Sequence, residues 1–274
     1  MTKKLKTLAI SNQKGGVAKS TTAAQVGAYA AKQGKRTLLV DLDPQANLSA
    51  TFLTMRPSPD GRESNVPPEH PEGGTHISRA LFTDDAWLPY ETKTPNLFVL
   101  PASGSMFQMN YKANAIEVAK RTFEDPDFQD HFDLVVIDTP PAKTLYTEAA
   151  ITLATHVLIP CVMEKRPFEG LMGVLQFIHI VNEPQRPEDV AEIIGILPTI
   201  YDSRMRIYKD NLNRLKKNLG TLALDIEVKR RPVYQDVEYV AKNYPYEVPK
   251  SNTNAYKEWV AMGDRILTAM GLDH

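Results

Sequence analysis

Two lysines and a glycine pair near the start of the chain have the composition and spacing of a phosphate-binding loop. An apolar stretch precedes them, an alanine-rich helical stretch follows, and the run reads Lys14-Gly15-Gly16-Val17-Ala18-Lys19-Ser20-Thr21. Glycines let the backbone approach a phosphate, and N–H groups at a helix N-terminus bind anions. Lys19 can reach β- and γ-phosphate oxygens, Ser20 can ligate Mg²⁺, and Thr21 can bond the α-phosphate. The run predicts a nucleoside triphosphate site.

The run departs from the standard pattern G-x-x-x-x-G-K-[ST], because Gln13 and Ala18 occupy the two glycine positions. A Gly-Gly turn before a surface helix is the competing interpretation. The flanking strand and helix favour the nucleotide site, since phosphate loops join a strand to a helix in this order. The additional lysine, Lys14, suggests that ATP joins two copies of the chain.

Two further apolar segments end in aspartates that can complete such a site. One is Thr37–Gln45, with Asp41 and Asp43, and the other is Phe132–Pro141, with Asp138. Continuous apolar runs are typical of buried parallel strands, and ligands of open α/β sheets bind at the carboxyl ends of strands. One carboxylate of the first segment can orient a water against the γ-phosphate, and Asp138 can hold Mg²⁺ through its water shell. Either segment alone is also explained by a solvated aspartate at a strand end.

Apolar runs alternate with helical stretches, which predicts an α/β fold. We expect one domain over residues 1–274, with a mostly parallel twisted sheet of about seven or eight strands and helices on both faces. Strands are expected at Leu5–Ile10, Arg36–Asp41, Leu97–Leu100, Leu134–Asp138, His156–Cys161 and Ala191–Leu197. Helices are expected near 19–33, 108–123, 144–154, 168–182, 205–219 and 253–270.

Residues 56–76 interrupt this alternation. They contain five prolines and three glycines, so neither regular helix nor sheet is expected. A tolerated surface insertion is the favoured interpretation. The alternative is a lid or a partner-contact loop, because the segment follows Asp43 closely.

Composition narrows the class of protein. The 274 residues are 42% hydrophobic, carry a net charge of −1 and include one cysteine. A disulfide framework or a cysteine zinc site is therefore excluded, and Cys161 is expected to be a small buried side chain in a strand. No apolar stretch approaches the length of a membrane span and no signal peptide precedes the loop, so a soluble cytoplasmic protein is expected. The helix near 253–270 mixes acidic and basic side chains, which favours packing on the domain over membrane binding.

Three segments taken together resemble the ParA-type partition ATPases, and they read SNQKGGVAKST, VDLDPQAN and FDLVVIDTPP. This family belongs to the deviant Walker A group, which also includes MinD and the nitrogenase iron protein. Further similarity lies in Leu97–Ser103 and Leu197–Arg204, and the resemblance covers most of residues 5–204. It implies the deviant P-loop NTPase fold and the small type of ParA, without an N-terminal DNA-binding domain.

The resemblance also implies roles for individual residues. Lys14 corresponds to the signature lysine, which contacts the nucleotide of the partner subunit in the ATP-bound dimer. Lys19 corresponds to the phosphate-binding lysine of the same subunit, Asp43 to the residue that positions the hydrolytic water, and Asp138 to the Walker B aspartate. The catalytic candidates are therefore Lys14, Lys19 and Asp43, the metal-ligand candidates are Ser20, Asp43 and Asp138, and a candidate adenine segment begins at Pro198.

Two positions depart from the family. Ala18 replaces a usual glycine; an alanine costs little there if its φ is negative, and nucleotide binding is expected to survive. The family segment R-x-x-R corresponds to Arg230-Arg231-Pro232-Val233, so Val233 stands at the second arginine position. The resemblance therefore does not identify which basic residues contact DNA.

A basic cluster lies in the last third of the chain. Residues 204–231 contain nine basic and three acidic side chains. Such a cluster can hold phosphate backbones without reading sequence, although a solvated helix face explains it equally well. The family favours DNA, which its members bind nonspecifically. The candidates are Arg204, Arg206, Lys216, Lys217, Lys229, Arg230 and Arg231.

The predicted function is an ATP-driven positioning switch. The resemblance implies a Mg²⁺-dependent ATPase that dimerises on ATP, associates with the nucleoid and hydrolyses ATP when a ParB-like centromere-binding partner stimulates it, so that plasmid or chromosomal DNA is segregated. The alternatives are a MinD-like or other cargo-positioning ATPase and a regulatory or metabolic member of the group. A redox protein like the nitrogenase iron protein needs more cysteines than Cys161.

Overall fold

The computed structural model describes residues 5–83, 85–108, 112–164, 167–231, 234 and 253–273. Its seven strands, β1 to β7, are Lys6–Ile10, Thr37–Asp41, Tyr90–Glu91, Leu97–Leu100, Leu134–Asp138, His156–Val162 and Glu192–Thr199. They form one sheet in the order β3-β4-β2-β5-β1-β6-β7. The short β3 pairs antiparallel with β4 and the other neighbours are parallel. The predicted α/β class and mostly parallel sheet are confirmed.

Eight α-helices within the described residues connect and cover the strands. In chain order, α1 to α8 are Lys19–Lys32, Asn47–Phe52, Ala115–Glu124, Pro126–His131, Leu145–Leu153, Pro167–Asn182, Arg206–Leu219 and Asn254–Ala269. The short elements β3, α2 and α4 were not predicted. The helix expected near 108–123 begins instead at Ala115, after a turn at residues 113–114, and Gly104–Gln108 forms a separate 3-10 helix. Residues 109–111 of that prediction lie outside the described residues.

Helices on both faces of the sheet bury the alternate side chains of each strand. In β2, Leu38 and Val40 pack with side chains of α3, α5, α6 and α7. Leu39, between them, points to the opposite face and packs with α1, α2 and α8. A strand whose two faces are both covered must be apolar throughout, which explains the continuous apolar runs.

The C-terminal helix α8 packs on the domain, as predicted, and the helix that it contacts most is α1. Trp259 is 1% exposed, and its Nε1 donates to the carbonyl of Gln25 at 2.8 Å. Gly263 is required at the crossing, because a Cβ there would lie 2.1 Å from the ring of Tyr29. Among the described residues, no helix has both the length and the apolar character needed to cross a membrane.

The remaining predictions concern single segments. Cys161 is buried in β6, as expected. Residues 56–76 contain neither helix nor strand, and their one isolated bridge joins Arg56 to Val66.

Candidate nucleotide site

Parallel pairing brings the three predicted segments to one edge of the sheet. Ile10, the last residue of β1, pairs with Asp138, the last residue of β5. Asp41, the last residue of β2, also pairs with Asp138. The glycine loop therefore leaves the sheet beside both acidic strand ends.

Side chains outside the glycine run hold the loop in place. Asn12 accepts the N–H of Lys14 at 2.9 Å and donates to the carbonyl of Pro160 at 2.7 Å. Thr199, at the end of β7, donates to the carbonyl of Val17 at 2.9 Å. Gln13 donates to the carbonyl of Gly173 in α6 at 3.2 Å. Gln13, which stands at a glycine position of the standard pattern, thus ties the loop to a neighbouring helix.

Two residues of the loop adopt left-handed backbone conformations. The φ of Gly16 is +69° and that of Ala18 is +65°. The condition for a low-cost alanine at position 18 is therefore not met, because Cβ crowds the following carbonyl when φ is positive, at about 1–2 kcal/mol. Ala18 immediately precedes α1, and its carbonyl accepts the N–H and the hydroxyl of Thr22.

A cavity of about 310 Å³ opens beside this loop. The N-terminus of α1 has no side-chain cap, so backbone N–H groups of its first turn are available to an anion. Lys19 is buried, and its Nζ donates to the carbonyl of Lys14 at 3.3 Å. Burial lowers the pKa of Lys19, while the carboxylates of Asp138 and Asp43 act in the opposite direction. The lining residues are Gly15, Gly16, Val17, Ala18, Lys19, Ser20, Thr21, Asp43, Gln45, Asn47 and Pro141.

The two aspartates of the first acidic segment have different environments. Asp41 is fully buried and accepts the N–H of Asp43 together with the N–H and hydroxyl of Ser49. Asp43 lines the cavity, where one oxygen accepts the N–H of Gln45 at 3.0 Å. Asp41 therefore organises the turn into α2, whereas Asp43 presents its carboxylate to the cavity.

Asp138 has the environment of a cation ligand. Both of its carboxylate oxygens are buried without a hydrogen bond of good geometry to another described group. Burial, followed by the charge of Asp41, raises its pKa well above the usual range; the Ser20 hydroxyl and Lys19 offset this only in part. An unsatisfied buried carboxylate beside a hydroxyl and a phosphate loop fits Mg²⁺, which prefers oxygen ligands and keeps several waters.

Three of the predicted nucleotide contacts lie outside the cavity lining, namely the buried Asp138 described above, Lys14 and Pro198. The side chain of Lys14 is 47% exposed, and its Nζ lies 3.0 Å from Oε2 of Glu164 in the same chain. Pro198 is buried in β7, where its carbonyl accepts the N–H of Val228 at 2.9 Å. Contacts of Lys14, Asp138 and Pro198 with a nucleotide remain predictions.

Some of the DNA-binding candidates form ion pairs with acidic side chains of the same chain, and others do not. Arg204 pairs with Asp202, and Arg206 lies 3.5 Å from Asp210. Glu258 of α8 forms ion pairs with both Lys229, at 3.6 Å, and Arg231. Within the described part of the chain, three candidates have no ion pair and are exposed: Lys216, Lys217 and Arg230. Val233 lies outside the described residues.

Several residues of the site carried no recognisable signal of their own. Asn12 and Thr199 act through backbone carbonyls of distant segments, and Glu164 reaches Lys14 across 150 positions of sequence. Pro141 was within a predicted segment but had no predicted role.

Comparison with known proteins agrees with this geometry. A family model described as an AAA domain, AAA_31, matches residues 5–189. Chromosome-partitioning ATPase Soj of Treponema pallidum is 32% identical over 219 residues, which cover 78% of this chain and 79% of the relative. Sporulation initiation inhibitor protein Soj of Bacillus subtilis is 30% identical over 227 residues, which cover 77% and 79%.

A solved structure shares the whole architecture. Cobyrinic acid a,c-diamide synthase from Mycobacterium smegmatis, with bound ADP and magnesium, superposes with a TM-score of 0.73 at 26% identity. The superposition covers 96% of this chain and 94% of that one. With the phosphate loop and both acidic strand ends at one sheet edge, the chain belongs to the AAA domain family and, within it, to the Soj/ParA partition ATPases.

Proposed function

We propose that this chain is a partition ATPase and that ATP binding controls its association with DNA. In this proposal residues 1–274 act as one domain. The single observation that supports this most is the position of Lys19, Ser20 and Asp43 in one cavity beside the phosphate loop, with the buried carboxylate of Asp138 next to Lys19 and Ser20. Cation, hydroxyl and carboxylates in this arrangement suit triphosphate binding and hydrolysis.

The residues divide the work of hydrolysis among them. The backbone of residues 15–21 and Lys19 would hold the phosphates, and Asp43 would orient the attacking water. Ser20 and Asp138, with Asp43 nearby, would hold Mg²⁺, which when bound neutralises charge on the β- and γ-phosphates. Positioning of this kind accounts for most catalysis of phosphoryl transfer.

Dimerisation is the step that we assign to Lys14. Its ammonium lies at the surface and outside the cavity of its own chain, so it is available to a nucleotide held by a second copy. A cation supplied across an interface stabilises transition-state charge, as arginine fingers do. The Soj/ParA relatives are named for partitioning and sporulation control, which supports a cytoplasmic, nucleoid-associated role with a ParB-like partner.

The test is ATP hydrolysis with and without DNA and the partner. We expect slow hydrolysis by the chain alone, dependence on Mg²⁺ and stimulation by DNA with a ParB-like protein. Lys19→Gln, which removes the buried cation, should abolish the activity. Absence of ATP binding by the wild-type chain in Mg²⁺ would contradict the proposal, and stimulation by another cargo protein alone would favour the cargo-positioning alternative.

A further inference from the structure

The proline- and glycine-rich stretch contains a closed hairpin. Arg56 and Val66 exchange two backbone hydrogen bonds, both at 2.8 Å. Inside it, the N–H of Ser58 donates to the carbonyl of Glu63 at 2.7 Å. Residues 56–66 therefore form a defined unit, although they contain no strand.

Two side chains fasten this hairpin to the edge of the sheet that carries the nucleotide site. Glu63 accepts the hydroxyl of Ser103, a buried residue shortly after β4, at 2.8 Å. The amide Nδ2 of Asn65 donates to the carbonyl of Gln45 at 2.8 Å. Gln45 lines the nucleotide cavity, so the hairpin contacts a residue of the site.

Gln45 also connects to the carboxylate that faces the cavity. Its N–H donates to Oδ1 of Asp43 at 3.0 Å, and the next residue, Ala46, has a φ of +56°. A left-handed alanine persists only where surrounding contacts determine the backbone. The bond from Asn65 is one such contact, because it holds the peptide that joins Gln45 to Ala46.

We propose that Asn65 is a positioning residue for ATP hydrolysis: it fixes the backbone of Gln45 at its carbonyl, and the N–H of Gln45 in turn orients Asp43. This inference rests on the proposed function. Asn65 does not touch the nucleotide cavity, so its loss should slow the chemical step without weakening nucleotide binding. A hydrogen bond of this kind contributes about 1 kcal/mol, which corresponds to a loss of about 3–10-fold in kcat.

The test compares two substitutions at the same position. Asn65→Asp keeps the shape of the side chain but removes the N–H donor, and Asn65→Gln keeps the donor. We expect a kcat reduced about 3–10-fold in the first with KM for ATP unchanged, and recovery to within about 2-fold in the second. Arg62→Ala, an exposed position on the same hairpin, is the matched control and should retain the wild-type rate.

Amide hydrogen exchange of the nucleotide-free protein supplies a second readout. The N–H groups of Gln45 and Ala46 should exchange faster in Asn65→Asp and remain at wild-type rates in Arg62→Ala. A wild-type kcat in Asn65→Asp, a change confined to KM, or unchanged exchange at Gln45 would overturn the inference. A wild-type chain that hydrolyses no ATP contradicts the proposed function instead, and the exchange rates then decide whether Asn65 orders Gln45.

Discussion

Lys14 and Glu164 form an ion pair within one chain, with 3.0 Å between Nζ and Oε2. Both side chains are about half exposed, at 47% and 54%, and such pairs contribute only about 0–1 kcal/mol. The contact is therefore weak enough for the phosphates of an ATP molecule in a second subunit to replace it.

Replacing Lys14 should separate nucleotide binding from dimerisation. Lys14→Ala removes the cation proposed to act across the interface. It leaves the cavity residues Lys19 and Ser20 in place, so ATP should bind with nearly wild-type affinity. The ATP-dependent dimer should be lost. Titration calorimetry and sedimentation velocity measure the two properties. Glu164→Gln, which breaks the same ion pair but keeps the lysine, is the control and should still dimerise; a normal dimer in Lys14→Ala would refute the role in trans.

Ala18 offers a test of backbone strain in the phosphate loop. Ala18→Gly should stabilise the protein by about 0.5–1 kcal/mol, because glycine adopts a positive φ without the clash of Cβ. Urea denaturation of the nucleotide-free protein measures the change. Ala261, exposed in the middle of α8, is the matched position, and glycine there should cost about 1 kcal/mol. Equal destabilisation by the two substitutions would show that position 18 is not strained.

The buried carboxylate of Asp138 should lower the stability of the nucleotide-free protein, although the proposed Mg²⁺ site needs it. A carboxyl whose pKa is raised by folding contributes stability below its unfolded pKa, near 4, and that contribution is lost as the pH rises through the higher folded value. An asparagine side chain cannot ionise, so Asp138→Asn should raise the Tm of the nucleotide-free protein increasingly as the pH rises above about 4, and should abolish Mg²⁺-dependent hydrolysis.

The corresponding measurement is a series of thermal melts across that pH range. Asp273→Asn, at an exposed carboxylate after α8, is the control and should follow the wild-type curve. A difference in Tm between Asp138→Asn and the wild type that does not grow with pH would contradict the assigned environment.

The basic residues should differ in their effect on DNA binding. Replacing Lys216 and Lys217 with alanine should weaken binding and reduce the slope of log K against log salt by about 1.8, or about 0.9 for each phosphate contact. Arg231→Ala should instead lower stability, because it removes the bidentate partner of Glu258, and should leave the salt slope unchanged. Fluorescence anisotropy at several salt concentrations distinguishes these results; the reverse pattern would place the DNA contacts around Arg231.

The location of the site could be predicted because it follows from local patterns. Apolar runs that end in Asp43 and Asp138 indicate the carboxyl ends of buried strands, and ligands of open α/β sheets bind there. All strands except β3, the helices α1, α5, α6, α7 and α8, and the packing of the C-terminal helix follow from the same periodicities.

What the sequence could not indicate depends on contacts between distant segments. Asp41 and Asp43 are the same residue type at the end of the same strand, so the local pattern does not distinguish them. Asp41 has a structural role because Ser49 donates two hydrogen bonds to its carboxylate. The positive φ of Ala18 is set by the bonds that hold Val17 and Thr22 around it. The short helix α4 did have a local signal, because Asp125 caps it and Pro126 occupies its first position.

In the proposed cycle, ATP joins two chains and Asp43 ends that state by hydrolysis. The most direct test is the mass of Asp43→Ala by light scattering in Mg²⁺ and ATP, beside the double variant with Lys14→Ala. We predict a stable species of twice the chain mass for Asp43→Ala with ATP, and a single chain with ADP or in the double variant. A single-chain mass for Asp43→Ala at saturating ATP, or wild-type ATP turnover by that variant, would contradict the account.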